Sequence, residues 1–125
     1  MKRLKKKIRK AIKKKKEFNV KGYIFGALGK IWRWHPVRRQ ALALSKVVDS
    51  NLVGDWYTCA KCDNMYPKKK VQVDHISPVV DPVTGFTTWD NYIDRKLNVT
   101  IDDVQVLCKD CHQVKTQSEN KERRN

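Results

Sequence analysis

Two Cys-x-x-Cys pairs, Cys59/Cys62 and Cys108/Cys111, constrain this chain more than any other feature, because the 45 residues between them must return on themselves to join the pairs. Four thiolates can supply every ligand of a tetrahedral zinc at about 2.3 Å each. A catalytic zinc keeps an open position and four sulfurs leave none, so the expected zinc is structural and stands in for part of a small core. Reading the cysteines as buried small apolar residues would leave two matched spacings, with none left over, unexplained. The usual zinc ribbon carries about 15 to 20 residues between its pairs, so an insert is expected inside this clamp.

Composition sets the partner. Lys and Arg total 28 against 13 Asp and Glu in 125 residues, a net +15, which favours a polyanion over an acidic small molecule. One domain with extensions fits this length, since two separate cores do not. Membrane binding competes for the same charge, but no apolar run approaches the roughly 20 residues of a bilayer span. The longest run, 23–29, lies between Lys21 and Lys30 and lacks a small-residue cleavage signature after it. A cytoplasmic protein without a membrane partner is expected, and in a reducing compartment paired cysteines favour a metal over disulfides.

The cations are concentrated at one end. Residues 1–17 hold eleven Lys or Arg against Glu17 alone, +10 of the total. Self-repulsion predicts a flexible basic extension over 1–21 that adds phosphate contacts without reading sequence. Leu4, Ile8, Ala11 and Ile12 recur at helical spacing and would give it a narrow stripe on binding. Over 22–55 a helical extension is predicted as two short helices. The first carries Ile24, Phe25, Leu28, Ile31 and Trp32. The second opens at Pro36, with Leu42, Ala43 and Val47 on its apolar side and Arg38, Arg39 and Lys46 elsewhere. His35 between them reads as a surface or capping histidine.

From Trp56 the pattern is α+β. The segment 71–76 alternates as a strand, Pro78, Pro82 and Gly85 impose a loop, and Thr88 is the expected N-cap of a helix bearing Trp89, Tyr92, Ile93 and Leu97. Residues 104–107 return as a second strand. The polar stretch after Cys108, free of Pro and Gly through Arg124, predicts a final helix with a tail at 119–125. The insert bears Asp74 and His75, and His112 follows the last cysteine, so zinc would fix both ends of the chain carrying these groups. Carboxylate and imidazole suit a second, hydrated divalent ion. Alone, the Asp-His pair is weaker evidence than a satisfied core histidine; its place between the cysteine pairs changes that.

Three segments together, Cys59-x-x-Cys62, Val73-Asp74-His75-Ile76-x-Pro78 and the run from Val106 through Cys108, Cys111 and His112 to Thr116, resemble the HNH endonucleases of the ββα-metal type. The small phage-encoded members are most similar, and the resemblance covers 56–118. It implies an α+β fold: a small ββα-metal HNH domain stapled by a four-cysteine zinc site, preceded by short helices and a basic tail. It implies a DNA endonuclease with His75 as general base, an imidazole with an unperturbed pKa of about 6.5 and so mostly neutral at pH 7. Asp74 and His112 would hold one divalent cation, Mg²⁺ or Mn²⁺, with Ni²⁺ or Co²⁺ also accepted, at a scissile phosphate of double-stranded DNA. The products expected are 5′-phosphate and 3′-hydroxyl ends, nicked by a monomer or cut through by a dimer. If the chain is phage-encoded, its compartment is the host cytoplasm.

The middle position of the family pattern, an Asn, aligns with Asp103. There an amide both donates to and accepts from the backbone that holds the catalytic histidine, and an ionised Asp only accepts. Either Asn91 or Asn98 supplies the missing donor, or Asp103 binds the backbone N–H groups alone, or activity is reduced. A decayed site would make the chain a zinc-stabilised DNA-binding protein, or an accessory to a phage packaging or replication enzyme. Lys115 and Thr116, one helical turn beyond His112, Lys68, Lys69 and Lys70 before the Asp-His strand, and Arg38 and Arg39 are the expected DNA contacts.

Overall fold

The computed structural model describes residues 2–14 and 17–124, without the side chains of 11–14, so part of the basic extension, including two cations of its lysine run and the stripe positions Ala11 and Ile12, lies outside the described residues. Contacts divide the chain into Met1–Ile31 and Trp32–Asn125.

In the first unit a helix, α1, runs over Lys2–Lys14, with Leu4 and Ile8 exposed. A second, α2, spans Val20–Trp32 and buries Leu28. Asn19 starts α2 because its side-chain oxygen accepts from the Gly22 N–H at 2.9 Å, taking one of the free donors of the first turn. A Cβ on Gly22 would come within 2.9 Å of the Asn19 amide, so glycine lets this cap close.

The second unit carries α3, Pro36–Ser45. His35 is its N-cap, accepting from the Val37 N–H, and Pro36 occupies the first turn, where no donor is lost. Its buried side is Val37 and Ala41, one turn apart, flanked by Leu42. Ala43, expected on that side, is exposed, because the face is chosen by the sheet under α3 rather than by the helix's own apolar average.

Strands β1, Trp56–Thr58, and β2, Met65–Pro67, form a hairpin around the first cysteine pair. The turn closes through Asp63 at φ 62°, a left-handed conformation that Asp tolerates. Sequence alternation did not reveal β2, which is three residues long and ends on Pro67. A 3-10 turn at Lys68–Lys70 then leads into β3, Val71–His75.

β3 pairs antiparallel with β4, Val104–Cys108, from Val71 opposite Cys108 to His75 opposite Val104. Between them lies α4, Trp89–Leu97, capped by Thr88, with Asp90 in its first turn and Arg95 and Lys96 in its last, each sign at the favourable end of the helix dipole. After β4 the chain turns straight into α5, Lys109–Arg124. The β-branched side chains of Val71, Val73, Val104 and Val106 pack with Val37, Ala41 and Tyr57 into the main core. A second cluster, Cys59, Leu107 and Cys108, with Cys62, Tyr66 and Cys111 against it, sits at the end where the cysteine pairs meet. The architecture is α+β, built on small two-stranded sheets. Among the described residues no helix is long and apolar enough to cross a membrane.

Candidate metal centres

Each cysteine is placed by a different piece of backbone. Cys59 and Cys62 lie in the turn after β1, Cys108 ends β4 and Cys111 sits in the first turn of α5. A hydrogen bond from the Ala60 N–H to the Val106 carbonyl, 2.8 Å, locks that turn onto β4. The four sulfurs all lie within 4.8 Å of one another. Ligands about 2.3 Å from a tetrahedral centre stand about 3.8 Å apart, so this spacing fits zinc.

All four thiols are free of disulfides. Burial works against a Cys59 thiolate, but backbone N–H groups around the turn, that of Cys62 foremost, outweigh it and bring Cys59 down to about 6. Cys111 is pushed up to about 12, first by its hydrogen bond with the Cys108 thiol. Sulfurs so crowded cannot all ionise unless a cation compensates them, and a bound zinc would supply that charge. Tyr66 Oη is 3.4 Å from Cys62 Sγ, and that contact holds the phenol above its ordinary value.

A second group of residues whose side chains could hold a cation is assembled by the β3–β4 register. Asp74, buried at 9 % exposure, stands opposite Gln105, whose Nε2 donates to its Oδ2 at 3.2 Å. Lys115 Nζ, from α5, is 3.2 Å from the same oxygen. The other carboxylate oxygen, Oδ1, lies 3.5 Å from His112 Nε2. An oxygen and a nitrogen at that separation can share one hard or borderline cation. Among the described residues no third Cys, His, Asp or Glu joins them in a cluster, so waters and substrate oxygens would have to complete the shell.

His75 ends β3. Its Nε2 is 2.8 Å from the Lys96 carbonyl oxygen at the C-terminal end of α4. A carbonyl only accepts, so Nε2 carries the proton and Nδ1 keeps its lone pair. Burial pushes the imidazole below its ordinary value, partly opposed by the Lys96 bond, a shift that favours the neutral form. The Trp32 ring packs against it, centroids 4.3 Å apart. Trp32 also packs on His35 at 5.3 Å, whose Nε2 donates to the Leu97 carbonyl at 2.7 Å. Two imidazoles thus take successive carbonyls of the last turn of α4, with Trp32 packed against both.

Asp103 does not touch His75 with its side chain. Its Oδ2 accepts from the Thr100 N–H at 2.8 Å and from the Thr100 hydroxyl at 3.1 Å, closing a capping box on the 3-10 turn Ile101–Asp103. The Asp103 carbonyl accepts from the Ile76 N–H at 2.9 Å, next to His75. Every side-chain partner is a donor, so an acceptor-only carboxylate serves this turn. The Asn98 amide does not reach Asp103, since its Nδ2 donates to Asp94 Oδ1 at 2.9 Å.

The remaining expected contacts separate. Lys68, Lys69 and Lys70 are exposed on the turn before β3, Arg39 is exposed on α3, and Thr116 is half-buried on α5. Arg38 is half-buried, its guanidinium 5.9 Å from the Trp32 ring. Lys115, expected on phosphate, is held inside, bound to Asp74, to the His75 carbonyl at 3.0 Å and to Glu119. A buried carboxylate demands a counter-cation, and among the described residues Lys115 is the lysine that reaches it. Gln105, His35 and Trp32 were not legible as site residues, since strand register and helix docking place them.

No family model matches the chain, and no solved structure matches it. Over 62 residues it is 37% identical to a protein of Lactococcus phage SK1 described as a probable HNH endonuclease, an alignment that takes in 50% of this chain and 56% of that protein. The chain therefore spans little more than half the length of the relative it matches, and by sequence it is similar to a phage HNH protein.

Proposed function

We propose that this chain is a metal-dependent HNH endonuclease that hydrolyses phosphodiester bonds of double-stranded DNA at a ββα-metal site made by β3, β4 and α5. One observation carries the reading: Asp74 Oδ1 and His112 Nε2 lie 3.5 Å apart, on the strand that ends in His75 and on the helix anchored by Cys108 and Cys111. The similarity to a phage protein described as a probable HNH endonuclease supports it. In this reading 56–118 is the nuclease domain, 22–55 a helical DNA-binding or packing extension and 1–21 a basic extension, while the polar segment expected as a tail from 119 continues α5 to Arg124.

Asp74 and His112 would hold Mg²⁺ or Mn²⁺, and the imidazole nitrogen also admits Ni²⁺ or Co²⁺. A cation there supplies charge stabilisation at the scissile phosphate and the departing 3′ oxygen. His75, neutral and fixed through Nε2, accepts at Nδ1 the proton of the attacking water as its oxygen bonds to phosphorus. The P–O3′ bond breaks, the 3′ oxygen takes up a proton from solvent, and 5′-phosphate and 3′-hydroxyl ends remain. Lys68, Lys69, Lys70, Arg38, Arg39 and Thr116 position the backbone without reading bases.

Supercoiled plasmid with Mg²⁺ or Mn²⁺ tests this. Wild type should relax it, and His75→Ala should not while retaining DNA equally well. Absence of relaxation with every one of the four metals would overturn the mechanism.

A further inference from the structure

Beside the proposed site lies a second concave surface, of about 290 Å³, lined by Arg33, Trp34, His35, Arg38, Arg39, Leu42 and Lys68. No carboxylate lines it. Arg38, one of the lining residues, has a buried Nε with no hydrogen-bond partner, the one such side-chain atom among the described residues. Its guanidinium is shifted below the ordinary arginine value by burial and then by Arg33, whose carbonyl accepts from Arg38 Nη1 at 3.3 Å. Two arginines held together without an acid constitute a site short of an anion, and a bidentate guanidinium is matched to a phosphodiester.

Trp34 narrows the occupant. It is 83 % exposed, on a surface that also carries three arginines and Lys68. A lone exposed aromatic is unremarkable. One set among arginines and a lysine forms the pairing by which single strands are bound, with cations on the backbone and a ring on which a base stacks. Bases inside a duplex are already stacked on both faces. Trp32 links this surface to the chemistry, since its ring contacts the Arg38 guanidinium at 5.9 Å and His75 at 4.3 Å.

We infer that the Arg33–Trp34–Arg38–Lys68 surface binds a DNA strand at an unpaired nucleotide, so that the nuclease engages junctions between duplex and single strand. The inference rests on the proposed endonuclease reading for its purpose and on binding alone for its test. Fluorescence anisotropy would compare a blunt DNA duplex with the same duplex carrying a short single-stranded extension, using the full chain bearing His75→Ala, with zinc bound and no added divalent ion, so that no cleavage is required. The junction should bind at least about fivefold tighter than the blunt duplex, given the usual strength of base stacking on an aromatic ring. Trp34→Ala should abolish that preference and leave blunt-duplex affinity unchanged, and Trp34→Phe should restore part of it. Arg38→Met should weaken the junction more than the duplex. Equal affinity for both DNAs, equal losses on both in Trp34→Ala, or tighter binding of an RNA extension than of a DNA one would each overturn the inference. Loss of plasmid relaxation in wild type would sink the endonuclease reading and leave this binding result readable.

Discussion

Lys115 Nζ and Asp74 Oδ2 lie 3.2 Å apart, and the same ammonium donates to the His75 carbonyl at 3.0 Å. The side chain that balances the charge of the buried carboxylate therefore also holds the strand end from which the proposed base projects. Burial works against this ammonium, but Glu119 and then Asp74 more than restore it, so Lys115 stays charged.

A cation shared by Asp74 and His112 must tolerate that neighbour. Lys115→Met should tighten Mn²⁺ binding by about tenfold, because a like charge a few ångströms away costs on the order of 1 kcal/mol or more even when well screened. Titration calorimetry with Mn²⁺ would show this, with a melting temperature lower by a few degrees for the lost Asp74 and His75 bonds. Unchanged Mn²⁺ affinity would mean that Lys115 and the metal do not compete for Asp74.

The cysteine cluster should carry one zinc per chain, read by metal analysis of the purified protein. Cys111→Ser or chelation should lower the melting temperature by about 10 °C or more, since structural zinc binding is folding free energy. Because Cys111 precedes His112 on α5, the second metal site should be lost with it. A chain that melts at the same temperature with and without zinc would refute a structural role.

Asp103→Asn and Asp103→Ala should separate. The Asn carbonyl can still accept from Thr100, so nicking should stay within a few fold of wild type. The Ala variant leaves the Thr100 N–H without its acceptor and should cost about 1 to 2 kcal/mol of stability. Nicking should fall with it, because the turn whose carbonyl holds Ile76 loosens. Thermal melts and initial nicking rates of the two variants side by side decide this.

His35→Ala removes the cap of α3 and the bond to Leu97 together, about 2 kcal/mol by the usual strength of a cap and a hydrogen bond. With Trp32 less firmly held against His75, kcat should fall while DNA retention stays near wild type. A variant that loses DNA binding and keeps kcat would place His35 on the DNA rather than behind the base.

Replacing Lys68, Lys69 and Lys70 by Ala should make DNA binding less sensitive to salt. Each lost phosphate contact lowers the slope of log affinity against log salt by about 0.9. A slope unchanged by the triple replacement would return these lysines to a solvated turn.

Much of this was legible in one dimension because it depends on local chemistry. The period-two valines of β3 and β4, Thr88 before α4, Pro36 in the first turn of α3 and the paired cysteine spacing are each set by groups a few residues apart, and each is where expected. β2 escaped because a three-residue strand ending on proline carries no periodicity. The buried side of α3 escaped because Ala43 and Ala41 are chemically alike, and only docking on the valine sheet distinguishes them.

The residue types therefore determined that this chain would be a strongly basic α+β protein with four cysteines able to hold a metal and an Asp-His pair inside the clamp. Tertiary structure alone decided which oxygen of Asp74 faces His112, that Gln105 and Lys115 take the other, and that Trp32 and His35 stand behind His75. It also decided that Asp103 serves its own turn instead of the histidine. The reason is physical: a single one-residue slip in the β3–β4 register would turn Asp74 away from α5, and nothing in the local sequence encodes that register except the burial of the whole valine face.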